Sequence, residues 1–347
     1  MRAIAAALMM SVAACAACAD QQPVGIAPSP GVKRIGAPEA AARTAGAIRL
    51  ATYNVENLFD NKDDPALSGD AEDLDDYKPE AERAGVAAAI RAIDADVIAL
   101  QEVESFDALV EFRDQHLSGL GYDHVVSIDA GDGRGIEQSV ISRFPLKDPK
   151  VWLNLPLEGA HPEKFPDGGK IREFGEAFDL RRSPLRVTVE VPAEKTGGGS
   201  SYELTLFVVH HKSGRGYGYW REAEAKKVIE LAREFESSKP GANIAVLGDF
   251  NCEPREAPLK SYFEAGFSDV YADRDSADSR SLTHASERVI DLILVNANLK
   301  GEVVPGSRFA YATIQLLREA DWRTAPKPEG YASDHVPVAV DLTPVDR

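Results

Sequence analysis

Cysteine, tryptophan and methionine occur only three times each among the 347 residues of this chain. With Cys15 and Cys18 near the start and Cys252 alone, a framework of several disulfides is excluded. Basic residues are outnumbered by acidic ones, 39 against 56, which leaves a formal net charge of -17. This balance excludes the broad basic surface of a non-catalytic DNA-binding protein, although an enzyme can still concentrate a few cations around its cleft.

The apolar run at the N-terminus, roughly a dozen residues after Arg2, is too short to span a bilayer as a permanent helix. Residues 1–19 therefore predict a signal segment for export. Val12 to Cys15 is similar to a bacterial lipoprotein box, which places cleavage before Cys15 and an acyl chain on its thiol. Cleavage before Asp20 is the alternative. We expect an exported protein that is either a periplasmic or outer-membrane-anchored lipoprotein or a secreted one.

Residues 20–46 are rich in alanine, proline and glycine and contain little periodic apolar sequence. Such a segment cannot offset its ordering entropy by burial, so it is predicted to be a disordered linker. The polar motifs described below run from Asn54 to His335 and must converge to form one site. We therefore predict a single catalytic domain over residues 47–345, present as a monomer.

Nine strand-like segments lie in this domain, and they mix continuous apolar runs with alternation of period two. Two helices are predicted, one starting near Pro79 and one from Trp220 to Phe235. Several neighbouring strands lack a helix between them, which favours mixed or largely antiparallel sheets over purely parallel ones. The nine segments are IRLATYNV, DVIALQ, HVVSI, SVIS, LRVTVEV, LTLFVVH, IAVLGDF, VIDLILVN and VPVAVDL.

The GDFN motif follows one of these apolar runs and places Asp249 two residues before Asn251. Positions i and i+2 of an extended strand face the same way. A carboxylate that orients or deprotonates water, beside an amide that donates to a phosphate oxygen, suits attack at phosphorus. The alternative interpretation is an Asx turn after a strand.

Asp291 stands inside the apolar segment VIDLILVN, where an unpaired carboxylate would be costly. His335 is the expected partner, because an aspartate fixes the tautomer of an imidazole and favours its charged form. The alternative is a structural pair that fastens the last strand. His210, at the end of LTLFVVH, can donate to a non-bridging phosphate oxygen, and Lys212 can assist it.

Glu102 follows DVIALQ and offers a hard oxygen ligand of the kind that Mg²⁺ prefers. Asn54 can add a carbonyl oxygen or orient that carboxylate, and Asp334 can serve as a further metal ligand. We expect Mg²⁺ as the cofactor, with Mn²⁺ or Ca²⁺ as alternatives. Taken singly, Glu102 also fits a surface acid and Asn54 a turn former.

Together and in this order, the motifs resemble those of the endonuclease/exonuclease/phosphatase (DNase I-like) superfamily over roughly residues 48–343. The resemblance implies an α/β fold, a four-layer α/β sandwich in which two packed mixed β-sheets are flanked by helices. It also implies that Asn54 and Glu102 are metal-site residues and that Asp334 lies beside His335. The catalytic residues that it implies are His210, Asp249, Asn251, Asp291 and His335. The segment DGRGIEQSVISR departs from the pattern of some bacterial members at Glu137 and Gln138, so no subfamily is assigned.

The expected activity is hydrolysis of a phosphodiester, and the loops around the motifs must select the substrate. A nuclease uses cations and aromatic faces near its cleft, for which Arg134, Lys212 and Tyr217 are candidates. This is the favoured interpretation. Membrane contact is expected only through the lipid anchor.

A sphingomyelinase-like enzyme, or another lipid or small-molecule phosphodiesterase or phosphatase, is the alternative. A long insertion, residues 154–186, could supply the exposed apolar loop that a lipid substrate needs. A catalytically inert binding protein is a third interpretation, disfavoured because binding alone does not require the complete polar set. The apolar candidates are Leu155, Leu157, Phe165, Phe174 and Phe178.

Overall fold

A computed structural model describes residues 33–62, 77–197, 199–275, 277–317, 320 and 324–346. The predicted signal segment, with Cys15, and the linker up to residue 32 lie outside the described residues. Within the described ranges, no helix combines the length and the apolar character needed to cross a membrane.

Strands and helices alternate irregularly along the described chain. The strands are β1 (Lys33–Ile35), β2 (Ile48–Leu58), β3 (Val97–Val103), β4 (His124–Ser127), β5 (Glu137–Ser142), β6 (Leu146–Lys150), β7 (Leu185–Val191), β8 (Tyr202–His210), β9 (Asn243–Asp249), β10 (Ser268–Asp269), β11 (Asp291–Val295), β12 (Phe309–Ala310), β13 (Thr313–Gln315) and β14 (Val338–Leu342). The helices are α1 (Glu80–Ile93), α2 (Phe106–His116), α3 (Ala193–Thr196), α4 (Gly218–Ser238), α5 (Ala257–Glu264) and α6 (Ala297–Lys300).

Two six-stranded sheets carry the fold. The first has the order β12-β14-β2-β3-β5-β4, and only its β2–β3 pair is parallel. The second has the order β10-β11-β9-β8-β7-β6, and only its β8–β9 pair is parallel. Both sheets are therefore mixed, as the shortage of crossover helices predicts.

Three apolar clusters separate four layers. One lies between the sheets and joins residues such as Leu50 and Val140 to Leu206 and Leu247. A second packs α1 and α2 on the outer face of the first sheet, and a third packs α4 and α5 on the outer face of the second. The predicted four-layer α/β sandwich, with two mixed sheets flanked by helices, is confirmed.

Alternation of side chains explains how one strand serves two layers. In β8, Leu204, Leu206 and Val208 face the layer between the sheets, whereas Phe207 and Val209 face the outer helices. This is the period of two that a strand buried on both sides imposes. Each of the nine predicted strand segments contains a strand, and the predicted helices are present as α1 and α4.

The last part of the predicted linker is built into the domain. Strand β1 pairs antiparallel with β13, Ile35 is fully buried, and Ala37 forms a bridge with Tyr311. The linker prediction is therefore wrong from residue 33 onward. The partners that bury this segment lie far away in the sequence, so local composition could not indicate its burial.

Candidate active site

The second sheet lines up three of the predicted catalytic residues. Asp249 ends β9 and is paired with His210, which ends β8, and with Asp291, which begins β11. Residues in direct register on neighbouring strands project to the same face of a sheet. The mixed pairing of these three strands thus brings an imidazole and two carboxylates together at one edge.

The first sheet contributes Asn54 and Glu102 from the neighbouring strands β2 and β3, whose register becomes irregular at this end. Glu102 has a φ of 62°, a left-handed backbone conformation that is uncommon outside glycine and is often retained at functional sites. The Asn54 Nδ2 atom lies 3.4 Å from Glu102 Oε1 and 3.3 Å from Asp249 Oδ2. One buried amide therefore links the polar ends of the two sheets.

Asp249 carries a buried carboxylate whose pKa is raised from 3.8 to about 6. Burial is the main cause, and the negative charge of Asp291 adds to it, while the charge of His335 acts in the opposite direction. Its Oδ2 atom lies 3.5 Å from His210 Nε2 and 3.8 Å from His335 Nε2. A carboxylate with such a pKa changes protonation close to neutral pH, which suits a general base.

Asn251 reaches Asp249 through a turn and not through an extended strand. Strand β9 ends at Asp249, and Asn251 has a φ of 51°. The Asn251 backbone N–H donates to Asp249 Oδ1 at 2.8 Å, and its side-chain Nδ2 donates to Asp249 Oδ2 at 3.0 Å. The Asx turn, which was the alternative interpretation of this motif, is therefore present. It brings the Asn251 amide into contact with the Asp249 carboxylate.

Asp291 and His335 form the predicted buried pair. The His335 Nδ1 atom lies 2.9 Å and 3.0 Å from the two carboxylate oxygens of Asp291. Burial opposes protonation of His335, but the charges of Asp291, Asp334 and Asp249 raise its pKa well above the ordinary value. The imidazole is therefore held in its charged form, with Nε2 directed toward Asp249.

His210 is neutral, because burial and the neighbouring cations disfavour its charged form. Burial, followed by the positive charges of Arg182 and Arg134, lowers the pKa of His210 well below its ordinary value. Its Nε2 atom lies 3.7 Å from Glu102 Oε1 and 2.8 Å from Arg182 Nη1. His211 points away from the site into the helical layer, where its Nε2 lies 3.1 Å from the hydroxyl oxygen of Tyr262.

The three predicted substrate contacts lie beside this group. Arg134 donates from Nη2 to Asn57 Oδ1 at 2.6 Å and also lies 3.5 Å from Glu102 Oε2. Lys212 follows the His210 strand, and its Nζ atom lies 4.4 Å from the centre of the Tyr217 ring. Their role in substrate binding stays a prediction.

Asp334 also lies near His335 Nε2, at 3.8 Å from its Oδ1, and has a partner that sequence reasoning missed. The His284 Nε2 atom lies 3.1 Å from Asp334 Oδ2, and the His284 and His335 rings are 4.5 Å apart. Burial opposes ionisation of Asp334, but the charges of His335 and His284 lower its pKa. His284 belongs to no recognisable motif, and only an isolated β-bridge to His335 brings it to the site.

Two groups within the described chain offer metal-ligand atoms that lie within 4.8 Å of one another: Asp249, Asp291 and His335, and His284, Asp334 and His335. Both include His335, whose Nδ1 atom already pairs with Asp291. Carboxylate and amide oxygens, by contrast, are the ligands that a hard divalent cation prefers. The oxygens of Glu102 and Asp249 therefore fit the predicted cation, and Asn54 orients them, because its Nδ2 faces both carboxylates while its Oδ1 accepts from the Glu56 backbone N–H. Metal binding by Asp334 stays a prediction.

The model of the Endonuclease/Exonuclease/phosphatase family matches residues 51–335 of this chain. That range includes each of the predicted catalytic and metal-site residues. Members of the family hydrolyse phosphoester bonds, generally with a divalent metal. No curated protein matches the chain in sequence.

Solved structures with the same fold cover nearly the whole chain. The human Nocturnin catalytic domain with bound sulfate anion is 17% identical, with a TM-score of 0.50, and the match covers 89% of this chain and 96% of that one. An endonuclease/exonuclease/phosphatase from Bacteroides vulgatus is 16% identical, with a TM-score of 0.52 and coverage of 85% and 98%. The mannosyl-6-phosphatase Bt3783 of Bacteroides thetaiotaomicron is 17% identical, with a TM-score of 0.52 and coverage of 85% and 99%.

At such low sequence identities, the structural likeness shows the fold alone. The family match covers the polar residues that this fold brings together. The match extends over most of the described domain, from within β2 to His335. The chain therefore belongs to the endonuclease/exonuclease/phosphatase family.

Proposed function

We propose that this chain is an exported, divalent-metal-dependent phosphoesterase that cleaves phosphodiester bonds, with nucleic acid as its substrate. The observation that carries the proposal is the contact between the polar ends of the two sheets, where the Asn54 amide lies against both Glu102 and Asp249. A binding protein without activity would gain nothing from burying these acids together, because their enclosure is costly.

The residues divide the work of in-line attack by water. Asp249 orients the water and accepts its proton, because a pKa of about 6 leaves the carboxylate ionised at neutral pH. His335, charged through its pairing with Asp291, stabilises negative charge that develops on the phosphoryl oxygens. A divalent cation bound by Glu102, which Asn54 orients, would supply further neutralisation of the phosphate charge.

The insertion supports nucleic acid over lipid, because most of its apolar side chains are already packed. Leu157 and Phe178 are buried in a cluster with Trp220, and the Phe165 ring lies edge-on to Tyr217. Of the five apolar candidates, Phe174 alone is strongly exposed. A single exposed ring is a poor lipid-binding surface, whereas Arg134, Lys212 and Tyr217 offer cations and an aromatic face beside the site.

A panel of substrates tests the proposal. Purified protein is assayed on single-stranded and duplex DNA, RNA, sphingomyelin, mannose 6-phosphate and a simple phosphodiester, each with Mg²⁺, Mn²⁺, Ca²⁺ or chelator. We expect metal-dependent cleavage of nucleic acid. Replacing Asp249 with alanine removes the group that orients the water, so turnover should fall about 1000-fold or more.

The matched control is Asp123→Ala, which removes an exposed acid just before β4 and should leave turnover unchanged. Mannose 6-phosphate is included because one protein of the same fold is named as a mannosyl-6-phosphatase. Full metal-dependent activity in Asp249→Ala would sink the assignment of Asp249, and cleavage of sphingomyelin alone would favour the lipid alternative. Mass spectrometry of the mature N-terminus tests export, since a lipidated Cys15 identifies the anchored form.

A further inference from the structure

Arg182 brings a buried guanidinium from the long segment between β6 and β7 to the edge of the candidate site. Its side chain is only 6% exposed. The Nε atom donates to the carboxylate of Asp132, which is also buried, and Nη1 lies 2.8 Å from His210 Nε2. The sequence offers Arg182 only as one of several cations for a nuclease cleft, because its position depends on how the insertion folds back on the sheet.

The contact with Arg182 determines which way His210 is protonated. A guanidinium only donates hydrogen bonds, so His210 Nε2 must accept and the ring must carry its proton on Nδ1. The Nδ1 atom is buried and has no hydrogen-bond partner among the described residues. In this arrangement His210 offers no N–H to the site, and Arg182 is the hydrogen-bond donor on this side of the site.

Lys212 is a second cation on this side of the site. Burial, followed by the positive charge of Arg182, lowers the pKa of Lys212, and the charges of Glu224 and Asp132 oppose this shift. Of the guanidinium atoms of Arg182, Nη2 has no acceptor among the residues that the structure describes. Two neighbouring cations with spare donors, near the carboxylates of Asp132 and Glu224, favour an anion beside them.

The carboxylates of Glu102 and Asp249 also lie near His210. The His210 Nε2 atom lies 2.8 Å from Arg182 Nη1, 3.5 Å from Asp249 Oδ2 and 3.7 Å from Glu102 Oε1. An anion bound here would receive N–H donors from Arg182 and lie near the oxygen ligands suited to a cation. A tetrahedral phosphate, with several oxygens to share, matches that division.

We propose that Arg182 is a substrate-binding residue, whose guanidinium donates to a non-bridging oxygen of the reacting phosphate while His210 and Asp132 hold it in place. This inference rests on the proposed function and deepens it. It assigns the first phosphate contact to an arginine supplied by the insertion, with His210 as the acceptor that positions it.

Binding of inorganic phosphate to the Mg²⁺-loaded protein tests the proposal without requiring turnover. By isothermal titration calorimetry, Arg182→Met should weaken phosphate binding about tenfold or more, because a charge-assisted donor is lost. Arg181→Met is the matched control: this neighbouring arginine in the same insertion is 64% exposed, and its loss should change binding less than about twofold. In the phosphate-free wild type, ¹⁵N NMR of labelled histidine should show His210 protonated on Nδ1.

Because Arg182→Met leaves Asp132 buried without its partner, thermal unfolding is measured in parallel. If that variant does not fold, the double variant Asp132→Asn/Arg182→Met removes both charges and takes its place. Unchanged phosphate binding in the folded variant overturns the proposal, as does an equal loss in Arg181→Met. A wild-type His210 that is protonated on Nε2, or a wild type that does not bind phosphate, overturns it too.

The two proposals can fail separately. If the wild type hydrolyses nothing in the substrate panel but binds phosphate through Arg182, the proposed function is wrong and the binding inference stands. If nucleic acid is cleaved but Arg182→Met binds phosphate as the wild type does, only the binding inference is wrong.

Discussion

Asp249 holds its carboxylate in a buried position, close to the charged pair formed by Asp291 and His335. Burial and the negative charge of Asp291 make ionisation unfavourable, and the pKa rises from 3.8 to about 6. The buried position of this carboxylate therefore destabilises the folded protein when the carboxylate is ionised. The folded protein tolerates the acid because the turn to Asn251 and the amide of Asn54 supply donors to it.

The first prediction concerns the pH dependence of stability. An acid whose pKa is higher in the folded state favours folding while it is protonated, so the charge becomes a cost as pH rises from about 4 to about 6. In chelator, Asp249→Asn should therefore be more stable than the wild type by about 3 kcal/mol at pH 7. The difference should vanish below about pH 4, where Asp249 is protonated in both the folded and the unfolded wild type.

Denaturant unfolding of both proteins between pH 3.5 and pH 8 measures this difference. The conservative amide retains the shape of the side chain, so packing is matched. A variant that is less stable than the wild type at pH 7, or a difference that does not change with pH, would contradict the origin assigned to the pKa shift.

The ends of β8 and β9 approach each other so closely that they require glycine at position 248. Gly248 has a φ of 142°, and a Cβ atom there would lie 2.0 Å from the carbonyl oxygen of Val209. This close contact directly precedes the register that pairs His210 with Asp249. The geometry of two site residues thus depends on one residue without a side chain.

Gly248→Ala should destabilise the protein by roughly 2–4 kcal/mol, because it combines a backbone clash with a disfavoured φ. Activity should also fall, since β9 must shift and carry Asp249 with it. Thermal unfolding and turnover are compared with Gly301→Ala, where a Cβ meets no atom within 4 Å and little change is expected. Normal stability in Gly248→Ala would show that the strand ends are less constrained than the contact implies.

At the scale of the whole molecule, the site exists only where the two sheets meet. The first sheet supplies Asn54 and Glu102, the second supplies His210, Asp249 and Asp291, and neither sheet alone holds a complete set. Acids from both sheets are thereby enclosed near one another. A bound cation should link metal binding to the stability of the entire sandwich.

We expect Mg²⁺ or Mn²⁺ to raise the free energy of unfolding, by about 2.7 kcal/mol at a concentration one hundred times the dissociation constant. Chelator should remove this gain. Glu102→Gln retains the shape of a metal ligand but loses its charge, so most of the gain should disappear in that variant. Differential scanning fluorimetry across a metal titration measures it, and equal stabilisation of Glu102→Gln would place the cation elsewhere.

Much of the sandwich could be predicted because strands buried on both sides leave a strong local signal. The apolar runs around Leu206 and Leu247 identify strands whatever their partners are. Helices α2 and α5 were missed because each buries only a few apolar side chains, as with Leu109 and Phe112 in α2. Strand β1 was missed because its partner lies far along the chain.

By itself, the sequence determined the family, the layered architecture and the identity of the polar residues at the strand ends, because those depend on short motifs and on side-chain period. Only the tertiary structure decided that Arg182 reaches His210, that His284 pairs with Asp334, and that an Asx turn joins Asn251 to Asp249. The first two contacts join residues far apart in the chain, and the third depends on where β9 ends. Spacing in the sequence does not indicate such distances, because the packing between the sheets and the fold of the insertion determine them.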